Sequence, residues 1–193
     1  MKKKIYSYSI LLLVFIALGY LYQNVIKKNI FEESNFKKYQ PSYEYKSGKD
    51  LLFIYFGSPF CGYCNSPEMP KMIEKSKFLA KAVADSTSAN FTTQGVAISW
   101  SPEKGYDHLS KFGNFDELTL GRSWFNSSAL KYIHIDLPSD EVGKVPQVLL
   151  VTREIIFKKG EKKNTYKVLN EKEYLRLEGY DEIKNFTERK VNK

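Results

Sequence analysis

The chain has 193 residues, of which 42% are hydrophobic, and its 11 Gly and 7 Pro are too few for a collagen-like, low-complexity or wholly disordered protein. Its 30 Lys and Arg against 22 Asp and Glu give a net charge of +8, and Lys2, Lys3 and Lys4 supply three of these positive charges. The remaining excess is small and scattered, which argues against nucleic acid as a partner. Two cysteines cannot make a disulfide-rich scaffold. The length of the chain predicts one ordinary globular domain plus extra segments.

The N-terminal segment predicts a membrane anchor over residues 1–28. No charged residue occurs from Ile5 to Ile26, and lysines flank this run on both sides. A helix of that length reaches about 33 Å, enough to cross a hydrocarbon core of ~30 Å. A cleaved signal peptide, with Ala17-Leu18-Gly19 as its cleavage site, is the alternative. Basic N-terminal residues stay in the cytoplasm, so both interpretations place the rest of the chain on the periplasmic or extracytoplasmic side of the inner membrane.

Residues 29–49 are polar and rich in turn signals, which predicts a tether before a domain over residues 50–193. Leu51–Phe56 (LLFIYF) is a continuous apolar run, typical of a strand buried on both faces. The spacing of apolar residues then predicts a helix from Gly62 to Ala84, kinked by prolines in its early turns. Gly95–Trp100 (GVAISW) predicts a second strand. We expect Trp100 to be buried, and a position lining a peptide groove is its alternative.

A variable insert separates this second strand from the C-terminal elements. Within it, the pattern predicts short helices or turns at 107–112 and at 118–125, and a further strand at 132–135. Gln147–Thr152 and Glu154–Phe157 predict an antiparallel pair of strands. Asn170 has the capping-box spacing to a glutamate three residues later, so we expect it to begin the last helix.

The chemistry-bearing motif is Cys61-Gly62-Tyr63-Cys64, a C-x-x-C directly after the first strand and at the start of the predicted helix. A helix N-terminus stabilises a thiolate, so the pKa of Cys61 should fall and Cys61 should attack or be attacked. Cys64, one turn further on, would be more shielded and would resolve the mixed disulfide. The alternatives are half of a zinc site, although no second cysteine pair exists, and a purely structural disulfide, whose small loop would remove little chain entropy.

The second motif is Val145-Pro146, which leads straight into the QVLLV strand. A proline opening a strand costs no ladder hydrogen bond, and an ordinary trans proline is the simplest explanation of Pro146 when it is considered alone.

Together, the two motifs resemble the thioredoxin fold, and the match covers most of residues 48–190. The segments LLFIYF, Cys61–Cys64, GVAISW, Val145-Pro146, EIIF and the last helix occur in the order of that family. The chain is most similar to membrane-anchored, TlpA-like thiol-disulfide oxidoreductases, on account of its N-terminal anchor, its Glu68-Met69-Pro70 triplet and its long insert. The resemblance implies an α/β architecture in which helices flank a central mixed sheet and the insert precedes a strand that opens with a cis proline.

The resemblance also implies a function, namely disulfide exchange with protein thiols through a mixed disulfide at Cys61, with no cofactor and no metal. A reductase supplied with electrons by a membrane redox partner is favoured, while an oxidase, an isomerase and a non-catalytic binding module stay as alternatives. Val145, Pro146 and Tyr63 are the candidate substrate-binding residues. Tyr55 stands where thioredoxins carry a buried aspartate.

Glu68 lies one helical turn after Cys64 and is the candidate proton acceptor for the Cys64 thiol, although an exposed helical glutamate is the commoner explanation.

Overall fold

The structure is a computed structural model that describes residues 46–136, 144–158 and 165–188, together with Phe15, Gly19, Tyr20 and Gly160. The predicted anchor at residues 1–28 and the predicted tether at 29–49 therefore fall almost entirely outside the described residues. Within the described part of the chain, no helix combines the length and the apolar character needed to cross a bilayer.

Five strands form one mixed sheet in the order β3-β2-β1-β4-β5. Strands β1, β2 and β3 are parallel, whereas β4 is antiparallel to both β1 and β5. The strands are β1 (Gly48–Gly57), β2 (Asn90–Ala97), β3 (Glu117–Thr119), β4 (Gln147–Lys158) and β5 (Thr165–Glu178). The helices are α1 (Met69–Ser86), α2 (Pro102–Leu109), the short α3 (Ser127–Ala129) and α4 (Tyr180–Glu188). This helix-flanked mixed sheet, with an insert between β2 and β4, confirms the predicted thioredoxin-like fold.

Strand β1 divides the hydrophobic core into two clusters, one on each face of the sheet. Its odd-numbered residues Leu51, Phe53 and Tyr55 pack in one cluster with α1, α2 and α4. Its even-numbered residues Leu52, Ile54 and Phe56 pack in the other, against the segment that contains α3. Successive side chains of a strand point to opposite faces, so an unbroken apolar run is what a central strand covered on both faces requires.

Helix α1 begins at Met69, seven residues later than the predicted start at Gly62. A one-turn 3-10 helix occupies Tyr63–Asn65, and Ser66 is then extended, with φ −62° and ψ 144°. Ser66 precedes Pro67, and the proline ring disfavours a helical conformation in the residue before it. Pro70, in contrast, lies in the first turn of α1, where its missing N–H costs no intrahelical hydrogen bond.

The predicted second strand is displaced, because β2 begins at Asn90 and ends at Ala97. Its first half is polar, which hides the strand from a search for apolar runs. Those polar side chains have partners, since the Thr92 hydroxyl donates to Asp50 and the Thr93 hydroxyl donates to Asp116. Trp100 lies outside the strand.

Two parts of the insert differ from the expected pattern, and a third agrees with it. The predicted strand at 132–135 is wrong, because Leu130–Ile135 forms a π-helical turn whose Tyr132 and Ile133 cover the second core cluster. The segment 118–125 contains strand β3 followed by a 3-10 turn at Ser123–Phe125. Helix α2 is followed by a 3-10 turn at Ser110–Phe112, as expected for a short helix or turn in this region.

The predicted hairpin is also wrong in its placement, because 147–152 and 154–157 are parts of the single strand β4. Its partner is β5, which includes Asn170, so that residue does not cap a helix. Asn170 has φ 55° close to a register shift between the two strands, and its side-chain amide donates to Glu154 across the pair (3.2 Å). A local bulge therefore places the asparagine where the sequence suggested a capping box.

A buried ion pair joins β1 to β4. The Arg153 Nε donates to Asp50 Oδ2 at 2.7 Å, and the exposed fractions of Asp50 and Arg153 are 2% and 6%. Thr92 on β2 donates to the other Asp50 oxygen at 2.8 Å, and Arg153 also reaches Glu117 on β3 at 3.2 Å. Burial raises the pKa of Asp50, and the charge of Arg153 counteracts that rise. The polar groups at this end of the sheet are thus paired with one another across four strands.

We expect the Arg153→Met variant to lose about 3–5 kcal/mol of unfolding free energy, because it leaves the Asp50 carboxylate buried without its cation. The double variant Asp50→Leu/Arg153→Met should lose less, since no charge is then buried alone. Urea unfolding monitored by circular dichroism measures both. The control is Lys81→Met, which removes an exposed ion pair with Asp85 and should cost under about 1 kcal/mol. A double variant less stable than Arg153→Met would contradict this explanation.

Candidate active site

A tight loop connects the end of β1 to the two cysteines. The backbone N–H of Cys61 donates to the Ser58 carbonyl at 3.2 Å, and the N–H of Phe60 donates to the Ser58 hydroxyl at 3.3 Å. Cys61 and Cys64 form a disulfide, with their Cα atoms 5.2 Å apart. The Cys61 side chain is partly exposed, whereas Cys64 is fully buried. An incoming sulfur can therefore approach Cys61 from solvent, and Cys64 is shielded from it.

Cys61 does not lie at the N-terminus of a long helix, so that part of the sequence argument is wrong. The element after it is the three-residue 3-10 turn Tyr63–Asn65, and α1 begins only at Met69. The sequence predicts that the macrodipole of a long helix acts on the Cys61 sulfur. Because α1 begins only at Met69, its N-terminus does not lie at Cys61. A local donor is present instead, the backbone N–H of Cys64, whose nitrogen lies 3.1 Å from Cys61 Sγ. A hydrogen bond of this kind favours a thiolate over a thiol.

Asn65 fixes the cysteine turn, a role that the sequence analysis missed. Its side-chain amide donates to the carbonyl oxygens of Cys61 at 2.8 Å and of Pro59 at 3.0 Å. Its side-chain oxygen accepts a hydrogen bond from Lys111 Nζ at 3.2 Å. Asparagine commonly bonds backbone groups in turns, so a polar residue directly after the second cysteine was the available signal.

The Val145–Pro146 peptide bond is cis, as the resemblance implies. The carbonyl oxygen of Val145 lies 3.4 Å from Cys61 Sγ, although 84 residues separate the two in sequence. The Pro146 carbonyl accepts the N–H of Gly179 at 2.8 Å, which ties this segment to the residue before α4. The structure thus brings both motifs of the sequence to one place.

Tyr63 and Glu68 meet a third residue, Tyr180 at the start of α4. The rings of Tyr63 and Tyr180 lie 5.7 Å apart, and the Tyr180 hydroxyl donates to a Glu68 carboxylate oxygen at 2.5 Å. This hydrogen bond raises the pKa of Tyr180. Glu68 is therefore exposed and hydrogen-bonded to Tyr180, whereas Cys64, whose proton it was expected to accept, is buried.

Trp100 is 70% exposed, which overturns the expectation that it would pack in the core. The reason is that β2 ends at Ala97, so Trp100 lies beyond the end of the strand. Because β1 and β2 are parallel, this is the same edge of the sheet from which the cysteine loop leaves β1.

A pair of buried polar side chains lies behind the cysteine loop. Tyr55 and His108 are 0% and 1% exposed, and neither the Tyr55 hydroxyl nor either His108 nitrogen has a hydrogen-bond partner among the described residues. A Cβ on Gly57 would lie 2.6 Å from Tyr55 Oη and 2.7 Å from His108 Nε2, so only glycine fits at that position. Burial, assisted by the positive charge of Lys111, lowers the pKa of His108 to about 4, and burial raises the pKa of Tyr55. Both groups are thus neutral near pH 7.

A groove of about 530 Å³ lies at the opposite end of β1 from the disulfide. Its lining includes Lys49 and Leu51 from the start of β1, Val83 from α1, and Lys172 and Tyr174 from β5. Because Cys61 follows the other end of that strand, the groove is not part of the disulfide site.

Because the folded state holds His108 neutral down to about pH 4, while an unfolded chain protonates it near 6.5, stability should fall as pH drops through this window. Full loss of this contribution amounts to about 3 kcal/mol. We expect the unfolding free energy of the His108→Phe variant to depend less on pH between 6.5 and 4 than that of the wild type. The half-exposed His134, replaced by Phe, is the matched control. Equal pH dependence in wild type and His108→Phe would contradict the assignment.

Comparison with known proteins adds one distant likeness. No family model and no curated protein matches the chain. Among solved structures, the chain is similar to a secreted Mycobacterium tuberculosis disulfide oxidoreductase that is described as homologous to E. coli DsbE. The sequence identity is 18%, the match covers 62% of this chain and 68% of the other, and the TM-score is 0.30. From its own sheet order and motifs, the chain has a thioredoxin-like fold with a C-x-x-C disulfide at the end of its first strand.

Proposed function

We propose that the protein is an exported thiol-disulfide oxidoreductase that acts on protein thiols and disulfides, in the direction of reduction. One observation carries this proposal, namely a disulfide whose first sulfur is accessible and lies 3.4 Å from the Val145 carbonyl while its second cysteine is buried. An inert structural disulfide would need no such division between an exposed and a shielded sulfur.

The reaction has two exchange steps. The Cys61 thiolate attacks a substrate disulfide, which forms a Cys61–substrate disulfide and releases the first substrate thiolate, to be protonated by solvent. Cys64 then loses its proton and attacks Cys61 Sγ, which forms the Cys61–Cys64 bond and releases the second substrate thiolate. The two protein thiols are oxidised to one disulfide while one substrate disulfide is reduced to two thiols. Running the same steps backwards gives the oxidase alternative.

The neighbouring residues have distinct proposed roles. The Val145 and Pro146 backbone would align an extended substrate beside Cys61, because a carbonyl at this position can accept a backbone N–H of the substrate. Tyr63, exposed between the cysteines, would contact the substrate directly. Glu68 stays the proposed proton acceptor for Cys64, and slower resolution of the mixed disulfide in Glu68→Gln would support that role.

The proposed location is the extracytoplasmic face of the inner membrane, with a single N-terminal span over residues 1–28. The support is the uncharged run from Ile5 to Ile26 between lysines. In an oxidising compartment a reductase must be re-reduced, so we include a membrane redox partner that delivers electrons. The alternatives are an oxidase, an isomerase and a docking module that lacks exchange activity.

We expect the Cys64→Ala variant to accumulate disulfide-linked partner proteins in cells, because the mixed disulfide at Cys61 can then no longer be resolved within the chain. Non-reducing electrophoresis followed by reduction measures the linked species. Cys61→Ala is the matched control and should trap far less, since Cys64 is buried. No trapped partner in either variant would favour the docking module, and preferential trapping by Cys61→Ala would reverse the two roles.

Fractionation of cells tests the proposed location. The full-length chain should sediment with membranes and resist extraction by high salt, because an apolar span holds it there. Thiol trapping in the same cells should find Cys61 and Cys64 mostly reduced if the protein is a reductase, and mostly oxidised if it is an oxidase. Recovery of the uncleaved chain in the cytosol would contradict both the anchor and the export.

A further inference from the structure

Gln147, the first residue of β4, is a fully buried polar side chain that directly follows the Val145-Pro146 motif. Its side-chain amide donates to the Lys144 carbonyl at 2.8 Å, and its side-chain oxygen accepts a hydrogen bond from Arg176 Nη1 at 3.2 Å. A guanidinium can only donate and a carbonyl can only accept. The position between them therefore requires a side chain that offers an acceptor on one side and a donor on the other. A carboxamide meets this requirement, and a carboxylate does not.

The hydrogen bond to Lys144 closes a small ring around Val145 and Pro146. Lys144 precedes these two residues and Gln147 follows them, so the Gln147 side chain spans the segment whose carbonyl lies 3.4 Å from Cys61 Sγ. The Val145 side chain packs against the second core cluster, which holds the same residue from its other side. The orientation of the Gln147 amide therefore bears directly on where the Val145 carbonyl lies.

Arg176 on β5 holds the Gln147 amide in that orientation. Arg176 is opposite Leu149 in the β4–β5 pair, so it lies on the same face of the sheet as Gln147. Its Nε and Nη2 both donate to Glu173 Oε2, at 3.0 Å and 2.8 Å, and Nη2 also donates to the Tyr132 carbonyl at 3.1 Å. These contacts fix a rigid planar donor whose Nη1 points at the Gln147 oxygen.

The end of β5 contacts the same segment a second time. The Gly179 N–H donates to the Pro146 carbonyl at 2.8 Å. Gly179 has φ 92°, and the Lys144 side chain passes beside it, 3.2 Å from where a Cβ would stand. The next residue, Tyr180, meets Tyr63 between the cysteines. One short stretch of chain thus supports the segment that enters β4 and also contacts the cysteine turn.

We propose that Gln147 is a positioning residue for the exchange reaction and that Arg176 acts through it. The inference rests on the proposed function and deepens it by naming the side chains that hold the substrate-aligning carbonyl. Gln147 keeps the Val145 carbonyl where an extended substrate backbone donates to it while the substrate sulfur is at Cys61. Its loss therefore slows the reaction of peptide disulfides and spares that of small disulfides, which have no backbone N–H to align.

The test compares two disulfides that share one leaving group. The first is a short alanine- and serine-based peptide whose central cysteine is joined to mercaptoethanol, and the second is hydroxyethyl disulfide. Attack by the reduced protein releases mercaptoethanol from either, and single-turnover rate constants are measured by acid quench and chromatography. In Gln147→Met we expect the rate constant for the peptide to fall about three- to tenfold, the equivalent of one hydrogen bond. The rate constant for hydroxyethyl disulfide should stay near the wild-type value.

Gln147→Glu separates the two hydrogen bonds of the amide. A carboxylate still accepts from Arg176 but has no donor for the Lys144 carbonyl. We therefore expect the same loss for the peptide as in Gln147→Met, in a variant whose buried charge is paired with a cation. Arg176→Met leaves the amide free to turn, so it should also slow the peptide reaction. The double variant Arg176→Met/Gln147→Met should lose no more than Gln147→Met alone, because Arg176 acts through Gln147.

Arg153→Met is the matched control for lost stability. It also removes a buried arginine of the sheet, but one that pairs with Asp50 at the end of β1 remote from the cysteines. Provided that circular dichroism shows the variant to be folded, its ratio of the two rate constants should equal that of the wild type. A second control changes the substrate, because N-methylation of the backbone around the cysteine removes the donors. The methylated peptide should react equally slowly with the wild type and with Gln147→Met.

The outcomes separate this inference from the proposed function. Wild-type exchange with both disulfides, together with an unchanged ratio in Gln147→Met and Gln147→Glu, overturns the positioning role and leaves the oxidoreductase function standing. A parallel fall of both rate constants in these variants overturns the positioning role as well, since a purely structural residue gives that result. Additive losses in the double variant overturn the role of Arg176. If the wild type exchanges with neither disulfide, the oxidoreductase function fails and the positioning role falls with it.

Discussion

The antiparallel register of β1 against β4 brings the two motifs of the candidate active site to one place. Phe56, near the end of β1, is opposite Gln147 at the start of β4. The loop that leaves β1 with Cys61 and the segment that enters β4 with Val145 are therefore brought to the same edge of the sheet. A slip by one residue would exchange the two faces of β1. The side chains of Phe53 and Tyr55 would then point to the face of the other core cluster. The two-cluster core thus holds the register, and the register assembles the site.

The two ends of β1 accommodate buried polar groups in different ways. At its start, the Asp50 carboxylate is matched by Arg153 and Thr92, so charge is buried together with its counter-charge. At its end, Tyr55 and His108 are buried as neutral groups, and burial lowers the pKa of His108 to about 4. The first arrangement is costly to break from either side. The second is sensitive to acid, because a proton on the imidazole would be a buried charge.

The sequence predicted the order of the elements and the meeting of Cys61 with Val145-Pro146, but it misplaced several boundaries. Strong local signals succeeded, such as the LLFIYF run and the C-x-x-C after it. Boundaries failed where tertiary contacts override local preference. Asn170 resembles a helix cap, but pairing with β4 places it in a strand. Arg153 looks like a break between two strands, but it lies inside the single strand β4, where it pairs with Asp50 on β1. The role of Asn65 was missed although its backbone partners Pro59 and Cys61 are local. The packing of Tyr55 with His108 was missed because the two residues are distant in sequence.

The hydrogen bonds of Asn65 connect folding with redox equilibrium. They run to carbonyl oxygens and to Lys111, and none of them involves sulfur, so the same clamp is available when the disulfide is reduced. A folded chain with this clamp keeps the two thiols close, which raises their effective concentration above that in the unfolded chain. Unfolding and reduction form a thermodynamic cycle. The free energy by which folding favours the disulfide equals the extra stability of the oxidised fold over the reduced fold. Loosening the turn at Asn65 would therefore make the dithiol a weaker reductant, by the amount of stability that the oxidised fold loses beyond the loss of the reduced fold.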